Sequence, residues 1–129
     1  MLREHLSPEK FRTWLQGLGD RPCGRYGDPT HNVLCRFLRE ATPLQGATLY
    51  PGDTFSLSLE STYLLAVYVP GEDWVQVEPV DELPEWVGEV LEAEEELHDE
   101  AVDAGASSLD VEIPASALLE RLTARLSQP

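Results

Sequence analysis

The sequence predicts an α+β fold: a small antiparallel sheet of three to four strands packed with about four helices, in the order ααβββαβα. Three observations carry this. Residues 1–42 hold two apolar stripes of helical period, each opened by a capping residue followed by proline. Between Thr48 and Val80 the period falls to two, and the connections are too short for crossover helices. After Leu83 the helical period returns.

Ser7-Pro8 opens the first helix, with Phe11, Trp14, Leu15 and Leu18 on one face and Gly17 and Gly19 as stop signals. Asp20–Gly27 reads as a loop. Asp28-Pro29 repeats the start signal, so the second helix is expected from about Pro29 to Ala41, ended by Pro43. Thr48–Tyr50 is a strand, and Tyr50-Pro51-Gly52-Asp53 a type II turn. Thr54–Leu59 alternates as a half-buried strand, and Tyr63–Val69, apolar on both faces, is the central one. After a turn at Pro70–Asp73, Trp74–Val80 alternates with Val75 and Val77 expected inward, and Pro79 marks an edge or an end. Leu83-Pro84 starts the longest helix, reaching about Ala104 on a stripe of Trp86, Val87, Val90, Leu91, Leu97 and Ala101. Leu109–Ile113 is a candidate fourth strand. Pro114–Leu126 closes the chain as an amphipathic helix with Leu118, Leu119, Leu122 and Leu126 inward. At 129 residues, with no linker long enough to split it, the chain reads as one domain. Residues 1–42 form a mildly basic helical unit and 43–129 an acidic sheet-and-helix unit.

Charge divides along the same line. The net charge is −15. From Ala41 to Glu120 there is no Lys or Arg, and this stretch holds 19 of the 24 acidic residues. Self-repulsion of that size destabilises a compact state, and the field it makes attracts basic surfaces and repels phosphate and anionic lipid. Apolar content of 42% excludes a disordered acidic tail. No run approaches a membrane span, the N-terminus lacks a signal-peptide pattern, and two cysteines make no disulfide framework. A reducing cytoplasm is the expected compartment.

Within the long helix, Glu85, Glu89, Glu92, Glu96, Asp99 and Asp103 recur at spacings of three or four, and Glu94, Glu95 and Glu100 widen the band. Like charges at these spacings destabilise a helix, and no cation lies within it. The ordinary reading is a solvated face. Solubility alone favours mixed signs, however, so a binding face for a basic partner is the sharper expectation, with contacts at Glu85, Glu89, Glu92, Glu95, Glu96, Asp99 and Asp103. Rows of carboxylates imitate rows of phosphates, and a groove built for nucleic acid accepts them with the same counterion release. That is the logic of a nucleic-acid mimic: an anti-defence protein of the anti-CRISPR or anti-restriction kind, a phage protein, or a nuclease immunity protein. Adaptation to high salt would spread acid over the first forty residues too.

Metal and catalytic signals are sparse. Cys23, His31 and Cys35 could offer zinc two thiolates and an imidazole, but paired C-x2-C spacing is absent, and a free half-buried cysteine is the commoner role. The expected metal is therefore none, and no cofactor is expected. Glu95-x-x-His98 matches half of a di-iron helix pair without a second copy and reads as surface. No nucleophile motif or phosphate loop is present, so the chain reads as a non-enzyme. Arg21, Arg25, Arg36 and Arg39 could form an anion site; the plainer reading is that they pair within the fold.

Phe11-x-x-Trp14-Leu15, then Gly24-Arg25-x-Gly27-Asp28 and Leu34-x-Arg36-Phe37-Leu38, resembles a group of small uncharacterised bacterial and phage proteins with an F-x-x-W-L helix and a C-P-L-A-x-[YF]-L helix. This chain departs from that pattern with Asn32-Val33-Leu34-Cys35. The resemblance implies that the two helices act as a unit and that the chain comes from a mobile element. Together these readings predict an acidic module that docks on a basic, nucleic-acid-binding protein and inhibits or regulates it, with no direct nucleic-acid or membrane binding. The alternatives are a housekeeping domain or subunit with a solvated acidic surface, pairing with a second copy as a homodimer, and a small ligand binder using the Arg-rich helices.

Overall fold

The structure is a computed structural model that describes residues 2–51, 63–71 and 75–126. In chain order the elements are α1 (Leu2–His5), α2 (Pro8–Leu18), β1 (Pro22–Gly24), α3 (Val33–Ala41), β2 (Gln45–Pro51), β3 (Tyr63–Tyr68), β4 (Val75–Pro79), a 3-10 turn (Val80–Glu82), α4 (Glu85–Asp103), β5 (Ile113–Pro114) and α5 (Ala115–Leu126). The α+β class is as the sequence predicts. The main sheet is antiparallel in the order β2-β3-β4, with the twice-apolar strand β3 in the centre. Among the described residues no helix is long and apolar enough to cross a membrane.

The helix signals work through their capping chemistry. Ser7 accepts from Lys10 N at the start of α2, and Gly19, at φ 61°, closes it where a side chain would be strained. Gly17, expected to stop this helix, lies inside it. Asp28-Pro29 does not start α3. Asp28 Oδ1 instead accepts from Thr30 N and His31 N, both at 3.0 Å, and holds a turn, so capping passes to Asn32, which accepts from Cys35 N. Two elements were not foreseen. The first is α1, whose Leu2 is fully buried. The second is β1, inside the expected Asp20–Gly27 loop.

Three further expectations are corrected. Only Ile113–Pro114 of the expected fourth strand is extended, and it pairs with β1 rather than joining the main sheet. In β4, Val75 and Val77 point outward, 37% and 45% exposed. The register explains this: Glu78 faces Leu65 and Gln76 faces Val67, so the even-numbered residues share the buried side of β3. The acid Glu94 and the histidine His98, both read as surface, are buried in α4. The strand expected at Thr54–Leu59, part of the turns at Tyr50–Asp53 and Pro70–Asp73, and Trp74 lie outside the described residues.

One core joins the layers. Phe11 and Phe37 meet edge-on at 5.1 Å, Trp14 lies 5.7 Å from Phe37, and Trp86 of α4 closes the cluster at 5.3 Å from Phe11. Leu65 and Val67 of β3, Val87 and Val90 of α4, and Leu118 of α5 belong to the same core.

Candidate functional site

On the acidic helix α4, Glu85, Glu89, Glu92, Glu95, Asp99 and Asp103 are exposed and Glu96 is half-exposed. They do not form one uniform face, because α5 packs against α4 and brings two arginines to it. Arg125 reaches Glu89 at 2.6 Å and Glu92 at 3.2 Å, and also pairs with Glu96. Arg121 reaches Glu96 at 3.0 Å and Glu100 at 2.6 Å. The Arg121 and Arg125 guanidiniums hold the Glu96 carboxyl below its usual range. The carboxylates in turn raise both arginines, Glu100 acting most on Arg121 and Glu89 on Arg125. The ridge 89–92–96–100 is thus partly neutralised from the neighbouring helix, two arginines facing four carboxylates.

The other ridge of α4 runs through Glu95, Asp99 and Asp103 at four-residue spacing, on its C-terminal half. Among the described residues Glu95 and Asp103 form no ion pair, and Asp99 meets only the His98 ring, at 3.2 Å. Tyr26 borders this ridge. Burial raises its phenol, with the charges of Glu95 and Asp99 adding to the effect. Of the predicted contacts, Glu95, Asp99 and Asp103 therefore stand without an arginine among the described residues, as does Glu85 at the far end of the helix.

Behind that ridge lies a polar interior. Glu94 is 1% exposed, and its carboxylate accepts from Val33 N at 2.9 Å, at the start of α3. Burial pushes its carboxyl up to about 7, against the pull of the Val33 hydrogen bond and of His98. The His98 ring lies 4.8 Å from that of Tyr26, tilted to it by 43°, and its ring nitrogens face Ser108 O at 3.0 Å and Asp99. Gly24 makes room for this junction: a Cβ there would stand 2.5 Å from Val33 N.

The zinc candidates are not arranged for metal. Cys23 and Cys35 are buried, while His31 is exposed and paired with Asp28. Burial pushes the thiols up to about 12 and about 11, away from the thiolate that zinc requires. No metal-ligating cluster occurs among the described residues. The four arginines proposed for an anion are engaged separately. Arg21 bonds Leu18 O and Gly17 O at the end of α2, and Arg39 bonds Thr30 O. Arg36 pairs with Glu40 and Arg25 with Glu112, and these two share a cavity of about 320 Å³ with His31 and Asp28.

A larger cavity, about 510 Å³, opens between α2, α4 and α5. Its floor is Phe11, Leu15, Trp86, Leu119 and Leu122, and Glu9, Arg12 and Glu85 stand at its rim. Sequence reading placed these apolar residues in the core without leaving a gap between the helices. It also missed Arg121 and Arg125 as partners, although their four-residue spacing matches the acidic ridge they meet. No protein-family model, curated protein or solved structure matches this chain.

Proposed function

We propose that this chain is a non-enzymatic acidic binding module that docks on a basic, nucleic-acid-binding protein and inhibits or regulates it. The observation that carries the reading is the ridge of Glu95, Asp99 and Asp103, exposed on a 19-residue helix and without an arginine among the described residues, on a molecule of net charge −15. Fixed carboxylates at helical spacing attract a basic surface at long range and compete for the place of phosphates. The reading covers nucleic-acid mimics of the anti-defence type and nuclease immunity proteins alike.

The test is capture of partners from the source cell on immobilised wild-type chain and on the double variant Glu95→Lys, Asp103→Lys. A nucleic-acid-binding protein retained at 0.1 M salt, released at 1 M as the screening length falls from ~10 Å to ~3 Å, and lost with the variant is the expected result. Capture that ignores both salt and the variant sinks the reading. A second reading, a subunit with a solvated acidic surface that pairs with itself, draws support from Arg121 and Arg125, which supply part of the band's counter-charge within the fold. Retention of nothing, together with a dimeric mass in solution, would favour it.

A further inference from the structure

We infer that the cavity between α2, α4 and α5 seats a basic, amphipathic segment of the partner, an inference that rests on the reading of a basic partner above. At about 510 Å³, with a mostly apolar lining and a few polar groups at the rim, it has the size and character of a binding site. Phe11 and Leu15 form its buried base, and Trp86, Leu119 and Leu122 are only half-buried. These three offer apolar surface that the fold leaves partly uncovered.

Charge complementarity names the occupant. Arg125, on the α5 side, is already matched by Glu89, Glu92 and Glu96. Glu9 on α2 and Glu85 on α4 are exposed, and among the described residues neither forms an ion pair; Arg12, also exposed, is a cation on the same rim. First-turn acids also offset helix dipoles, which accounts for Glu9 and Glu85 being acidic but not for the apolar seat between them. A segment with Leu- or Phe-like side chains at helical spacing and flanking Lys or Arg would satisfy both surfaces, in the helix-in-groove mode. The acidic ridge farther along α4 then steers the partner, and the groove holds it.

Two labelled peptides test this by fluorescence polarisation: a helical Lys/Leu peptide and a Lys/Ser peptide of the same charge and length. The wild-type chain should bind the Lys/Leu peptide about tenfold tighter, a difference of about 1.4 kcal/mol. Leu122→Arg, placing bulk and positive charge in the seat, should abolish that preference. Binding of the Lys/Ser peptide, which depends on the ridge, should survive. Arg12 is exposed, so Arg12→Glu should fold and tighten Lys/Leu binding severalfold, which keeps the test decisive if Leu122→Arg fails to fold. Equal, salt-sensitive binding of both peptides would overturn the groove and leave the charge reading standing. Weaker binding by Arg12→Glu would likewise overturn it, since the seat would then favour an anion. Binding of neither peptide would remove both readings.

Discussion

A carboxylate taken out of water costs the native state free energy unless donors surround it, and Glu94 has one backbone donor, Val33 N, at 2.9 Å. Its carboxyl is raised from 4.5 to about 7, so between those values the folded chain holds a proton that the unfolded chain has released. The stability this group contributes is full below about pH 4.5 and is lost as pH rises to about 7. Glu94→Gln keeps an acceptor for Val33 N and removes the titration. Relative to wild type, the variant should gain on the order of 1–3 kcal/mol between pH 4 and pH 8 in urea unfolding. A difference that stays constant with pH would show that Glu94 is solvated. Counting acids along the sequence assigns Glu94 to the same band as Glu95, because a run of three glutamates gives no sign of which one faces inward. The signal was available in the spacing of Val87, Val90, Glu94 and His98, four buried residues at helical intervals, but polar identity masks a core position at two of them.

At the scale of elements, the pairing of α4 with α5 reverses one expectation. Read alone, α4 is a helix of repelling acids, and Glu89, Glu92 and Glu96 replaced by Lys should relieve that repulsion. In the fold the same three carboxylates hold Arg125, and Glu96 also holds Arg121. The triple substitution would set three lysines against two arginines. Exposed pairs contribute only ~0–1 kcal/mol each, but here several share two arginines and sit along the contact of two helices. The melting temperature of the triple variant should fall by a few degrees, and Arg125→Ala should lower it less, since that removes attraction without adding repulsion. A rise in melting temperature would mean that the helices do not hold this register. The β4 strand teaches the same lesson for sheets. Its alternation was visible, but its phase was not, because β3 is apolar on both faces and accepts either side of a neighbour. Pairing of Val67 with Gln76 decides it.

For the whole molecule, the net charge of −15 dominates behaviour at a distance. In a gel shift at low salt the purified chain should not retard DNA or RNA at micromolar concentration, because the field repels phosphate and Arg25 and Arg36 are paired with Glu112 and Glu40. Retardation that disappears on substituting Arg25 and Arg36 would move function to that cavity. What the sequence determined by itself is whatever depends on local chemistry: the α+β class, the caps of α2, the span of α4 and α5, the central place of β3, and the acidity of the second half. Helix period, capping and strand alternation are set by neighbours in the chain, so they are legible from it. What only the tertiary structure decided is which charges are matched, which polar groups are buried, and where the helices leave a gap. Arg125 lies 36 residues from Glu89 in the chain, and Glu94 lies 61 from Val33. Such contacts depend on how helices pack against one another, and packing angles and distances are properties of pairs of surfaces rather than of either sequence stretch alone.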